Sequence, residues 1–168
     1  KSVAITGTNG KSTVCKLIQH IFKTNGFDAQ LGGNIGKPVL DLKVKKKSII
    51  IIEASSFQLA HAKFLKPNFA AILNITNDHL DWHNTISNYK NSKFKIFSQQ
   101  DSKNIALLNN KKLIKLFKKK NYSGKLKIVK NFLLNNKIKK KITNDYLTSE
   151  PNLENLSFAA KISKIFKI

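Results

Sequence analysis

The stretch "AITGTNGKST", Ala4–Thr13, decides the fold. An apolar run breaks at Gly7 and Gly10 and continues as Lys-Ser-Thr into a segment with Val14, Leu17, Ile18, Ile21 and Phe22 at helical spacing. Strand, glycine turn and helix together aim backbone N–H groups and a helix N-terminus at an anion. In such a turn Lys11 reaches outer phosphates and the Ser12 hydroxyl is offered to Mg2+. The strict phosphate-loop pattern asks for Gly where Ile5 stands, so the loop is a shorter form, Gly7-Thr8-Asn9-Gly10-Lys11-Ser12. Taken alone, the stretch also reads as an ordinary tight turn before Lys-Ser.

Working outward, the 168 residues suffice for one domain with a real core, and 41% of them are hydrophobic. No apolar run approaches a membrane span, and no signal peptide is expected. Cys15, the single cysteine, excludes an internal disulfide framework, suits a reducing compartment and reads as a packing residue inside the first helix. The net charge of +22 invites a nucleic-acid reading. All 31 basic residues are Lys, however, and Arg is the residue that forks onto guanine and phosphate. Lys, Asn and Ile are abundant throughout, a chain-wide bias rather than a patch. Specific nucleic-acid recognition is therefore not expected, only weak attraction to polyanions. There is no Met, and the first strand begins at residue 1 or 2, so a piece of a longer protein is expected.

The pattern predicts strands at Ser2–Thr6, Phe27–Leu31, Ser48–Glu53, Phe69–Ile75 and Ile105–Leu108, and helices at Lys11–Lys23, Ile86–Phe97, Lys111–Lys118 and Asn152–Phe166. Four consecutive Ile before Glu53 mark a strand buried on both faces. Between Lys120 and Ser149 short apolar pairs alternate with Lys and Asn, which predicts a small antiparallel β addition near residues 120–149 whose lysines shield a sheet edge. The expected fold is α/β, a phosphate-loop-type, mostly parallel sheet flanked by helices.

Ligands of open parallel sheets bind at the carboxyl ends of the strands. Two further strands end in polar residues: "SIIII" in Glu53, Ser55, Ser56 and Gln58, and "FAAILNI" in Thr76, Asn77, Asp78 and His79. An acid at the end of an apolar strand beside a phosphate loop is placed to hold magnesium. Glu53 also reads as a capping or salt-bridged acid, and His79 as a structural or solvent-exposed histidine.

"GTNGKST", "NDHLD" and "YKNSK" together resemble the Mur ligases, ATP-dependent peptide-bond-forming enzymes of cell-wall (peptidoglycan) precursor synthesis. "GGNIGKP" and "EASSFQL" resemble the branch that adds D-glutamate to UDP-N-acetylmuramoyl-L-alanine. The resemblance covers residues 1–168 but only the family's central ATP-binding domain. It implies that an N-terminal UDP-binding domain and a C-terminal ligase domain are absent from this chain, and that the fragment alone is inactive. It further implies ATP contacts at Thr8, Asn9, Gly10, Lys11, Ser12 and Thr13, with Asn152 and Asn155 near the adenine. Two Mg2+ ions are implied, the first on Ser12 and Glu53, the second on His79 and on Lys93 carried as a carbamate. Lys11, His79 and Lys93 would be the catalytic groups, and Asn34, Ser55 and Gln58 would touch the UDP-linked substrate. A cytoplasmic monomer is implied. Pro151 departs from the family's usual His, Trp82 from a common Arg, and Ala54 from a larger apolar residue. Other readings are another Mur ligase, a folylpolyglutamate synthase, or a nucleotide-binding domain without catalysis.

Overall fold

The computed structural model describes residues 1–131, 142 and 144–168. Six strands form one sheet: β1 (Ser2–Thr6), β2 (Ala29–Gly33), β3 (Ile49–Glu53), β4 (Phe69–Ile72), β5 (Ile105–Leu108) and β6 (Lys125–Ile128). Among the described residues, six helices accompany them: α1 (Lys11–Thr24), α2 (Ser56–His61), α3 (Leu80–His83), α4 (Ile86–Phe94), α5 (Lys111–Lys119) and α6 (Glu150–Phe166). The strand order is β2-β3-β1-β4-β5-β6, and every pairing is parallel.

Side chains alternate across a strand, so a sheet covered on both faces is apolar throughout. Val3 and Ile5 point to the face covered by α1 and α6, where they meet Val14, Ile18, Phe22, Phe158 and Ile162. Ala4, Ala70 and Ile72 point to the other face, against Phe94, Ile96, Phe97 and Phe117. Burial of this kind is worth roughly 25 cal/mol per Å² of apolar surface removed from water and holds the sheet flat against its helices. Cys15 lies in the first cluster, and burial pushes its thiol pKa up, which leaves it a packing residue.

β1 is central, with β3 on one side and β4 on the other. The register sets Ile5 beside Glu53 and Thr6 beside Ile72, so the turn after β1 emerges between the ends of β3 and β4. That juxtaposition builds the site described below.

Several boundaries differ from those expected. β2 begins at Ala29 because Gly26, at φ +79°, turns the chain out of α1 and leaves Phe27 half-exposed. β4 stops at Ile72, and α4 ends at Phe94 with a 3-10 turn over Lys95–Phe97. The antiparallel addition is corrected where it is described: Lys125–Ile128 pairs parallel with β5, because α5 supplies the crossover that returns the chain in the same direction. The part of that expected addition at 132–141 and 143 lies outside the described residues. None of the described helices is long and apolar enough to cross a membrane.

Candidate phosphate and metal site

Gly10 is the N-cap of α1 at φ +83°, and it offers no side-chain cap. Val14 N–H is the first to bond to the helix start, at the Gly10 carbonyl, 2.9 Å away. Among the described residues, nothing accepts from the N–H groups of Gly10, Lys11, Ser12 or Thr13. These are the orphan donors of a helix N-terminus, carrying its partial positive charge. Lys11 curls over the turn, its Nζ donating to the carbonyls of Gly7 (3.0 Å) and Thr8 (2.8 Å). The ammonium is thereby held over the mouth of the loop, where phosphate oxygens would replace the two carbonyls.

Glu53 ends β3 beside this loop and is 2% exposed. Ser12 Oγ donates to its Oε2 at 2.8 Å, and Asn34 Nδ2 to its Oε1 at 3.0 Å. Both partners are neutral, and no ion pair to Glu53 occurs among the described residues. A buried carboxylate is costly unless paired or coordinating a metal. One carboxylate and one hydroxyl beside the turn could hold Mg2+, which keeps waters and phosphate oxygens for its other positions. Gly33, at φ +112°, lets Asn34 approach, since a Cβ there would collide with the Glu53 carbonyl.

α4 grips the loop from the other side. Lys93 Nζ donates to the Gly7 carbonyl at 2.8 Å and lies 4.6 Å from the Tyr89 ring centroid. Tyr89 OH meets Thr8 Oγ1 at 3.0 Å. Lys93 is 2% exposed, and burial, helped by the charge of Lys11 and opposed by Asp78, lowers its pKa to about 7. His79 caps α3 in the left-handed region at φ 51°, exposed, with its ring against Phe57 and Tyr89. Asp78 Oδ2 lies 3.4 Å from His79 Nε2.

The profile of the Mur ligase middle domain matches residues 5–167. This chain belongs to that family. The UDP-N-acetylmuramoylalanine–D-glutamate ligase of Natranaerobius thermophilus is 41% identical over 109 residues, covering 64% of this chain and 24% of the relative. The enzyme of that name from Buchnera aphidicola subsp. Acyrthosiphon pisum is 48% identical over 100 residues, covering 59% and 23%. The chain thus spans about a quarter of the length of these curated relatives. The MurF ligase from Thermotoga maritima, solved in complex with ADP, superposes with a TM-score of 0.69 at 16% identity, covering 99% of this chain and 45% of that one. The last is a likeness of fold.

Within this Mur ligase middle domain, the residues singled out by sequence fall into three groups, with His79 apart from them at the exposed start of α3. Thr8, Asn9, Gly10, Lys11, Ser12 and Thr13 form the loop and the start of α1, Glu53 and Lys93 bond to it, and Asn34 reaches it through Glu53. Ser55 and Gln58 are occupied with each other: the Ser55 hydroxyl accepts from Gln58 N–H while the Gln58 side chain accepts from Ser55 N–H, a capping box that starts α2. Asn152 and Asn155 are buried on α6. Asn155 Nδ2 donates to Asn152 Oδ1 at 3.1 Å, and Asn155 Oδ1 sits where a Cβ on Gly10 would fall. Asn155 thus packs against the loop at Gly10, and Asn152 holds Asn155 in place. Pro151 occupies the first turn of α6, where no N–H partner is lost and φ is already suitable, so the helix accommodates it.

Sequence reading missed three contributors. Asn74 bonds to the loop across the β4 end, and Tyr89 bonds to Thr8. His83 is buried between α2 and α4, 3.0 Å from Ser56 Oγ, and burial followed by the charges of His79 and Lys93 holds its pKa down. Its stacking on Phe57 locks the wall behind His79. Tyr89 opens the quoted "YKNSK" stretch and was the nearest to being legible.

Proposed function

We propose that this chain is the nucleotide-binding part of an ATP-dependent ligase that joins D-glutamate to UDP-N-acetylmuramoyl-L-alanine. The observation that carries the reading is the half-buried Ser12–Glu53 pair beside Lys11 and the orphan N–H groups of α1. A carboxylate is a poor electrophile toward an amine. One oxygen of the substrate carboxylate attacks the γ-phosphorus of ATP, the bond to the β-phosphate oxygen breaks, and ADP leaves. The resulting acyl phosphate is attacked by the D-glutamate amine, which loses a proton, and inorganic phosphate departs from the tetrahedral intermediate. Such a transfer needs positioning and charge neutralisation rather than a protein nucleophile.

Lys11 and the N–H groups of residues 10–13 would hold the outer phosphates in line. Ser12 and Glu53 would hold Mg2+, which supplies charge neutralisation across the phosphates. His79 would hold a second ion on the exposed side. Lys93 as an amine is a donor to Gly7 and is not a metal ligand; as a carbamate it would present two oxygens instead. Only the neutral amine adds CO2, and the pKa of about 7 makes that form available near neutrality. Asn34, Ser55 and Gln58 flank the β3 end, where the UDP-linked acid would enter.

The test uses the full-length protein that contains this chain. Phosphate release should require both UDP-N-acetylmuramoyl-L-alanine and D-glutamate. Equal release with another amino acid would falsify the substrate assignment while leaving the nucleotide site intact. The 168-residue chain by itself should bind nucleotide without turning it over.

A further inference from the structure

Asn74 stands two residues beyond the end of β4, at the strand end that faces the loop. It makes three hydrogen bonds to the two middle residues of the turn. Its carbonyl accepts from Thr8 N–H at 3.0 Å. Its side-chain Oδ1 accepts from Asn9 N–H at 2.9 Å, and its Nδ2 donates to the Asn9 carbonyl at 3.2 Å. Leu73 N–H bonds to the Thr6 carbonyl at 2.9 Å, so these contacts continue the β1–β4 ladder beyond the last paired residues. The amide does for Asn9 what a neighbouring strand does for a ladder residue. Immediately afterwards Gly10 turns the chain into α1.

We propose that Asn74 is a positioning residue of the phosphate loop. Its side-chain amide fixes the Asn9 peptide, so that the N–H groups of residues 10–13 and Lys11 are presented together to a polyphosphate. The inference rests on reading the loop as a phosphate site. The task needs a donor and an acceptor on one short planar group. Aspartate would face the Asn9 carbonyl with acceptors only, and leucine would offer neither. The contact joins residues 65 apart in sequence, and it ties the loop to the segment that carries His79.

The test uses the 15N-labelled chain, wild type and the Asn74→Ala, Asn74→Leu and Asn74→Asp variants. Amide exchange is followed by NMR without added ligand, and tripolyphosphate with Mg2+ is titrated by calorimetry. In Asn74→Ala and Asn74→Leu, exchange at Asn9 should rise about tenfold or more while Ala4 and Ile5 in β1 stay unchanged. Tripolyphosphate affinity should fall about five- to tenfold, the loss of one or two hydrogen bonds' worth of ordering. Asn74→Asp keeps the acceptor, so Asn9 exchange should stay close to wild type. Unchanged exchange at Asn9 in Asn74→Ala and Asn74→Leu, or faster exchange there with unaltered affinity, overturns the proposal. Leucine is nearly isosteric with asparagine and decides the matter if the alanine variant does not fold. Failure of the wild type to bind tripolyphosphate, equally with Lys11→Ala, overturns the phosphate-loop reading itself and the proposal with it.

Discussion

The Ser12 hydroxyl donates to the Glu53 carboxylate at 2.8 Å across 41 residues of sequence. The bond exists because β1 and β3 are neighbours in parallel register, so the start of α1 and the end of β3 reach the same level. Ser12 belongs to the phosphate turn and Glu53 to the strand beside it, and their meeting defines where a divalent cation would sit.

Glu53→Gln separates the metal role from a packing role. Glutamine is isosteric and still accepts from Ser12, so the fold should be kept, with stability within about 1 kcal/mol of wild type because an unpaired buried charge is removed. The Mg2+-dependent part of nucleotide affinity should drop about tenfold or more, as a charged ligand becomes neutral. Calorimetry of nucleotide binding with and without Mg2+ reads both terms. A variant that retains full Mg2+ dependence excludes Glu53 as a ligand.

Lys11→Ala removes the ammonium that spans the Gly7 and Thr8 carbonyls. A charge-assisted hydrogen bond contributes about 1.5–3 kcal/mol, so nucleotide affinity should fall about tenfold to a hundredfold. Turnover in the full-length protein should be abolished, since the same charge is asked to stabilise the transferring phosphoryl group. Steady-state phosphate release checks this, and an active variant would contradict the cradle.

Lys93 gives a pH signature. Its pKa is lowered to about 7 by burial, whereas an unfolded lysine titrates near 10.5. Between those values the unfolded chain binds one more proton than the folded one, so stability rises with pH across that window and this contribution is flat below it. Lys93→Met should lose that rise. The difference in melting temperature between wild type and variant, followed from pH 6 to 9, isolates the lysine from other groups; parallel curves would show that Lys93 is not desolvated. Incubation with 13C-bicarbonate should add a carbamate resonance to the wild type alone.

Much of the architecture was legible because it depends on local pattern. The Ile run before Glu53, the helical spacing after Lys11 and the alternation of strands with helices each specify an element by side-chain periodicity. The glycine turn and its approach to α1 were legible for the same reason, since Gly7–Ser12 is contiguous in sequence. Asn74 was not, because its role is a contact to Asn9 created by sheet register, and the apolar run around it reads as part of the strand Phe69–Ile75. The direction of β6 was not legible either: "KLKI" alternates in the same way in a parallel or an antiparallel edge, and α5 decides between them. Short α2 and α3 escaped because four to six residues carry too little periodicity, although Ser55 and Gln58 stand at capping-box spacing.

Gly10 carries the sharpest stability prediction. Its φ of +83° is a region that alanine enters only at a cost, and a Cβ there would fall on the Asn155 amide oxygen. Asn155 is buried and bonded to Asn152, which is tied in turn to the Tyr146 carbonyl and the Ser149 hydroxyl, so it does not yield freely. Gly10→Ala should therefore destabilise the fold by about 1–3 kcal/mol, the usual cost of a strained backbone position, with the clash tending to increase it. The double variant Gly10→Ala with Asn155→Ala opens room for the methyl group but keeps the backbone strain. It should recover part of the loss relative to Asn155→Ala alone. Urea denaturation of the four proteins gives the coupling energy. Strict additivity would mean that Asn155 does not touch Gly10, and that α6 supports the loop by some other contact.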